Sequence, residues 1–294
     1  MKILNFGSLN YDYIYSVEHI VKEGETISSY KRETVCGGKG LNQSVALARA
    51  GIYIYHAGMV GEDGEELLNI CKANGIDGSN ISIVKGESGH TIIQVDKNGQ
   101  NCIILFGGSN QRITKEHIDK VLYGFEKNDV IILQNEINLL DYIIEESYKK
   151  GLKIILNPSP YDYRLEKCDL SKISIFILNE IEGEQITDEK EPKKILDRIL
   201  SKYPDSKIVL TLGSAGVMYK DKNHEYFRDI YMVSITDTTA AGDTFTGYFI
   251  ASLVNNASIE QALEISSKAA AIAVTKVGAT ASIPFMEEVI RTKF

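Results

Sequence analysis

The chain has 294 residues, of which 44% are hydrophobic and 24% charged, with no Trp and a formal charge of -8. That length suits one large α/β core carrying an inserted subdomain, and the composition excludes a disordered or fibrous chain. The acidic balance removes any general electrostatic drive toward nucleic acid or an anionic membrane, so an anionic ligand needs a local trap.

Met1-Lys2 leads directly into Ile3–Gly7, a short strand pattern without the apolar region and small-residue cleavage site of a secretion signal. No apolar run reaches the ~20 residues needed to span a bilayer. Cys36, Cys71, Cys102 and Cys168 are scattered without a C-x-x-C pair, which suggests neither a zinc site nor a disulfide framework. These features predict a cytoplasmic protein with no membrane or nucleic-acid partner.

Residues 11 to 35 are β-rich, and residues 90 to 106 carry a hairpin signature: Thr91–Val95 and Asn101–Phe106 flank an Asn98-Gly99 turn. Both regions lack helical periodicity and predict a small separate sheet, a lid, beside the main domain. Between them Cys36-Gly-Gly-Lys-Gly-Leu-Asn-Gln43 opens a helix over Leu41 to Ala50. From about residue 130, apolar runs at Val130–Leu133, Ile154–Leu156, Ile175–Leu178 and Ile208–Thr211 alternate with helical stretches. This is the pattern of a mostly parallel sheet covered by helices. Leu139 to Lys150 and Pro192 to Tyr203 read as two of those helices, the latter with Pro in its first turn. Lys149-Lys150 and Lys193-Lys194 sit among acidic residues in these helices and read as solvated faces. No linker tract or repeat divides the chain. The expectation is a single three-layer α/β/α domain over 1–294, with a discontinuous β lid from about 11–35 and 90–106.

Three small-residue segments can carry chemistry. Asp237-Thr-Thr-Ala-Ala-Gly-Asp-Thr-Phe245 precedes an apolar helix. Ala240, Ala241 and Gly242 let backbone approach a ligand, and first-turn N–H groups can bind a phosphate or an oxyanion. Asp243 puts a carboxylate at the same point, where a helix cap and a catalytic base are equally good readings. The Gly37–Gln43 cluster is not a Walker A loop, which needs Gly at Glu33 and Ser or Thr at Gly40. It holds one cation, Lys39, and one amide, Asn42, suited to a hydroxylated or anionic ligand, or it is simply a tight strand-to-helix turn. Thr211-Leu-Gly-Ser-Ala-Gly216 follows an apolar strand and can admit a nucleotide. The dinucleotide fingerprint is missing both there and after the first strand, which argues against a dehydrogenase. His19, His56, His90, His117 and His224 show no paired spacing and read as structural or solvated.

Taken in order, these motifs resemble the ribokinase family of carbohydrate kinases, also called the phosphofructokinase-B family. The likeness runs from Gly7–Asp12 through Cys36–Gln43, Leu156-Asn-Pro-Ser-Pro160, Asn179-Glu-Ile-Glu182 and Thr211–Gly216 to Asp237–Phe245. It implies a ribokinase-like fold and transfer of the γ-phosphoryl group of ATP to a sugar's terminal hydroxyl, with D-ribose going to ribose 5-phosphate. Deoxyribose, a ketose or a nucleoside are alternative acceptors, and a non-catalytic sugar-binding regulator is a further alternative. Tyr11 and Tyr13 are the residues that keep a nucleoside in view.

By the same resemblance Asp243 is the base, with the amides around Ala241 and Gly242 stabilising the transferred phosphoryl group. Asn10, Asp12, Gly38, Lys39, Asn42 and Glu136 grip the sugar. Asn179, Thr211, Gly213, Ser214, Gly216, Gly242 and Ser267 line the ATP site, Ser267 standing where relatives can carry His. Asn179 and Glu182 order Mg2+ through its waters. Asp237, Thr239, Ala273, Lys276, Gly278 and Ser282 ring a monovalent cation, K+, on condition that the Lys276 side chain points away. The lid's exposed face implies pairing into a homodimer.

Overall fold

The computed structural model describes residues 1–294. Its strands are β1 Ile3–Phe6, β2 Asn10–Ser16, β3 Lys31–Gly37, β4 Tyr55–Val60, β5 Asp77–Ile83, β6 Gly89–Val95 and β7 Asn101–Phe106, followed by β8 Val130–Gln134, β9 Lys153–Asn157, β10 Ile175–Asn179, β11 Lys207–Thr211, β12 Val217–Lys220 and β13 Glu225–Arg228. The helices are α1 Lys39–Arg49, α2 Glu65–Ala73, α3 Lys115–Tyr123, α4 Leu140–Lys149, α5 Glu180–Thr187, α6 Pro192–Lys202, α7 Ala241–Val254, α8 Ile259–Ala273 and α9 Met286–Arg291.

Nine strands form the central sheet in the order β13-β12-β11-β10-β9-β8-β1-β4-β5. All are parallel except β12 and β13, which pair antiparallel at one edge. The continuous apolar runs are explained by burial on both faces. Along β8, Val130 and Ile132 join the layer built with α1, α7 and α8, whereas Ile131 and Leu133 join the layer built with α3, α4 and α6. The same alternation holds for Ile175 and Ile177 against Phe176 and Leu178. The result is the expected three-layer α/β/α arrangement.

The expected small sheet is present, with strand order β3-β2-β6-β7. Within the span 11–35 only Asn10–Ser16 and Lys31–Gly37 are strands, and the stretch between them has none. The Gly99 turn residue lies at φ +77°, a left-handed conformation that glycine adopts without steric cost. Strand β7 is the outer strand, and Ile103, Ile104, Leu105 and Phe106 are exposed along it. No helix is long and apolar enough to cross a membrane.

Two helices decide where the site lies. Helix α1 begins at Lys39, two residues before the position expected from the apolar pattern, because Gly38 at φ +90° turns the chain into it. Helix α7 packs against α1 at Gly247, where an added Cβ would sit 2.4 Å from Ala46 Cβ and 3.0 Å from the Leu47 amide nitrogen. That close approach, possible only without a side chain, brings the first turns of the two helices together.

Candidate active site

The site opens at the C-terminal ends of the parallel strands, the usual place for a ligand in such sheets. The glycine cluster is sterically determined. A Cβ on Gly40 would lie 2.4 Å from the Ser8 backbone nitrogen, and one on Gly37 would lie 2.2 Å from Asp12 Oδ2. The cluster is therefore the tight strand-to-helix turn of the plain reading, and it also seats Lys39 and Asn42 against the β1–β2 connection.

Asp243 occupies the first turn of α7, whose cap is Ala240 at φ +60° with no capping side chain. Asp243 is the acidic residue of that first turn, where its charge favours the dipole, but its side chain caps no backbone amide and is held from another helix. Its Oδ2 accepts from Asn42 Nδ2 at 3.0 Å and its Oδ1 from Gln43 Nε2 at 2.9 Å. Both oxygens are held by α1, so the carboxylate has a fixed orientation. The Ala241 amide donates to Thr238 O at 3.2 Å, while the Gly242 and Asp243 amides have no protein acceptor. These orphan donors and the helix dipole form an anion trap beside the carboxylate.

The residues expected at the sugar gather next to Asp243. Asn10 and Asp12 come from β2, Lys39 and Asn42 from α1, and Glu136 from the turn after β8. Glu136 Oε2 accepts from the Lys39 amide at 3.1 Å and from the Ser8 hydroxyl. Asn10 Oδ1 accepts from Asn110 Nδ2 at 2.6 Å. Burial pushes the Asp12 carboxyl up to about 6, against a hydrogen bond from Thr91 and with further upward pressure from Glu136 and Asp243. Burial alone would lower the Lys39 ammonium, but Asp243, Glu136, Glu182 and Asp12 outweigh it and hold it above its ordinary value. Lys39 is thus the positive centre of four carboxylates. The Oδ1 of Asn42 is buried with no partner, an acceptor waiting for a donor such as a hydroxyl. Tyr11 and Tyr13 alternate to the other face of β2 from Asn10 and Asp12, and Tyr11 donates instead to Asp63 O at 2.7 Å.

Behind the α7 start lies a cleft of about 410 Å³ lined by Thr211, Gly213, Ser214, Gly216, Ala241, Gly242 and Ser267, with an apolar wall from Ile230 to Ile235. A Cβ on Gly216 would lie 2.3 Å from Arg228 O, so this turn also requires glycine. The cleft's size and apolar wall, next to unpaired amides, fit a purine nucleotide. Asn179 is not part of this lining. It caps α5 in a capping box, its Oδ1 accepting from the Ile181 and Glu182 amides while Glu182 Oε2 accepts from the Asn179 amide. Only one Glu182 oxygen is used in this way.

The segments expected around a cation are stapled by Asp237. Its Oδ1 accepts from the Thr239 amide and hydroxyl, and its Oδ2 from the Gly278 amide at 2.9 Å. Burial would raise this carboxyl, but those three hydrogen bonds hold it below its ordinary value. The Lys276 ammonium donates to Glu288 at 2.7 Å. Ala273 O accepts from the Lys276 amide, and the Ser282 hydroxyl donates to Ala279 O.

Sequence reasoning missed Ser8, Gln43, Thr91, Asn110 and Gln134, all buried and all bonded to the predicted residues or to one another. The run Gln134-Asn-Glu136 ending an apolar strand was a usable signal, since polar residues there face the ligand crevice.

A nucleotide-sized cleft that meets a polyol-type pocket at one helix start defines a small-molecule phosphotransferase. The comparison with known proteins agrees: residues 1–286 match the pfkB family carbohydrate kinase, and the chain belongs to that family. It is 33% identical to a ribokinase of Haemophilus influenzae, over 97% of this chain and 95% of that one. The crystal structure of a ribokinase from Thermotoga maritima superposes with a TM-score of 0.88 at 32% identity, covering 99% of this chain and 98% of the other. An Arabidopsis thaliana ribokinase complexed with ribose and ATP superposes with a TM-score of 0.85 at 28% identity, covering 99% and 97%.

Proposed function

We propose that the protein is an ATP-dependent kinase of D-ribose, forming ribose 5-phosphate with Asp243 as general base. The observation that carries this reading is the first turn of α7, where a doubly held carboxylate stands beside two unpaired amides and Gly242 lines a nucleotide-sized cleft. Asp243 takes the proton of the sugar's terminal hydroxyl as that oxygen attacks the γ-phosphorus and the bond from phosphorus to the β–γ bridging oxygen breaks, releasing ADP. The Gly242 and Asp243 amides stabilise the charge on the phosphoryl group, and losing one such donor typically costs about 3 kcal/mol in the barrier. Asn10, Asp12, Gly38, Lys39, Asn42 and Glu136 orient the sugar. The position of Tyr11 and Tyr13 away from this pocket favours a free polyol over a nucleoside.

Magnesium bound with the nucleotide would neutralise phosphate charge, with Glu182 and Asn179 ordering its waters. Asp237, Thr239, Ala273, Lys276, Gly278 and Ser282 would hold K+, whose charge would steady the loop leading into α7. The 294 residues act as one kinase domain in the cytoplasm, consistent with four unpaired cysteines. The small sheet serves as a lid that excludes competing water and, through its apolar outer strand, pairs two copies.

The test is ADP release measured across ribose, deoxyribose, fructose and nucleosides, each with and without potassium. Ribose with potassium is expected to give the highest kcat/KM, and Asp243→Asn to abolish turnover while sugar binding persists. Higher kcat/KM with deoxyribose reassigns the acceptor. A flat response to every sugar removes the kinase reading.

A further inference from the structure

Beneath the Asp243 carboxylate lies a chain of polar side chains that never reaches solvent. Gln43, Gln134, Asn5, Ser44 and His56 are all fully buried. Gln134 Nε2 donates to Gln43 Oε1 at 2.7 Å and to Asn5 Oδ1 at 3.0 Å. Asn5 Nδ2 in turn donates to Gly40 O at 2.7 Å and to Ser44 Oγ at 2.9 Å. Ser44 Oγ lies 2.8 Å from His56 Nδ1.

The direction of each bond is fixed by the next. Asn5 spends its NH2 on a backbone carbonyl and a hydroxyl, so its Oδ1 must face Gln134 and needs a donor there. Gln134 therefore presents its NH2, and the same NH2 occupies Gln43 Oε1. Gln43 is then left with only its NH2 to offer Asp243. An amide can otherwise sit either way round, with its oxygen or its nitrogen forward. Gln134 keeps this orientation although its own Oε1 is buried without a partner, because the reverse would set that oxygen against two carbonyl oxygens. Room for its side chain comes from Gly7, where a Cβ would lie 2.2 Å from Gln134 Oε1.

We infer that Gln134 is a positioning residue for phosphoryl transfer: by locking the Gln43 amide it aims the Asp243 carboxylate, although it touches neither sugar nor nucleotide. This rests on the reading of Asp243 as the base. The chain starts from the paired central strands β1 and β8, so the base is referenced to the sheet rather than to its own helix start alone. Small misplacements of a reacting group are costly, and a loss of about 10- to 100-fold in kcat is the expected scale.

The experiment compares Gln134→Met, Gln43→Met, the double variant and Asp243→Asn by steady-state kinetics with ribose and ATP, folding being checked by thermal melting. Each single glutamine variant is expected to lower kcat with both KM values nearly unchanged. The double variant is expected to be no worse than Gln43→Met, since Gln134 acts only through Gln43. If Gln134→Met fails to fold, Gln134→Leu, which likewise offers no donor to Gln43 Oε1, takes its place; it should lower kcat in the parent and have no further effect beside Gln43→Met. Parent-like kcat in a folded Gln134 variant, or independent multiplying losses in the double variant, overturns the inference. Turnover by Asp243→Asn instead overturns the base assignment beneath it.

Discussion

Asp12, proposed to bind the sugar, is buried in an environment that opposes its charge, and replacing it with Asn should separate stability from function. Its carboxyl sits at about 6 in the folded protein against 3.8 for an ordinary aspartate. A raised carboxyl binds its proton more tightly when folded. The stability it contributes is complete below about 3.8, and it is lost as pH rises through about 6. Taking both values through the linkage relation gives a loss of about 2 kcal/mol between pH 4.5 and pH 8. Asn has the same shape, still accepts the Thr91 hydroxyl through its oxygen, and does not titrate. Urea unfolding of Asp12→Asn and the parent, without ligands, should therefore show the variant gaining about 2 kcal/mol relative to the parent on going from pH 4.5 to pH 8. In the kinetic assay the same variant should raise the sugar KM, because a carboxylate able to accept from two hydroxyls has been removed. A stability difference that is flat with pH, or one in which the variant loses ground to the parent on going from pH 4.5 to pH 8, refutes the claim that burial strains this group.

Gly247→Ala places a methyl 2.4 Å from Ala46 Cβ, so it should destabilise the protein by about 1 to 3 kcal/mol in thermal melts and lower kcat by separating Asp243 from Asn42 and Gln43. Asp237→Ala removes two local hydrogen bonds from Thr239 and the one from Gly278 that ties the two segments together, and should abolish activation in a KCl titration. Lys276→Met, whose ammonium serves only Glu288, should leave that titration unchanged. Ile103→Lys, on a residue 55% exposed along the outer strand β7, should convert a sedimenting dimer to monomer; a parent that sediments only as monomer removes the pairing.

The layered fold was legible because each of its layers leaves a local trace. Val130–Leu133, Ile154–Leu156 and Ile175–Leu178 are continuous apolar runs only because both sides are covered, and Asn98-Gly99 writes a hairpin into two residues. The glycine clusters were legible as well, since a missing Cβ is a property of the residue itself. What composition and spacing left open was the role of Asp243. A carboxylate at a helix start is the same string of letters whether it caps the helix or accepts a proton.

The tertiary structure adds what holds that carboxylate, because its partners are distant in the chain. Asn42 and Gln43 reach Asp243 from about 200 residues away. They do so because Gly247 lets α7 settle onto α1, and Gln43 faces the right way because Asn5 and Gln134 hold it from the sheet. Local sequence specifies which groups are present and how the backbone can turn. Which of them meet, and which end of an amide points forward, is settled only when elements remote in sequence are packed into one core and every buried donor must find an acceptor.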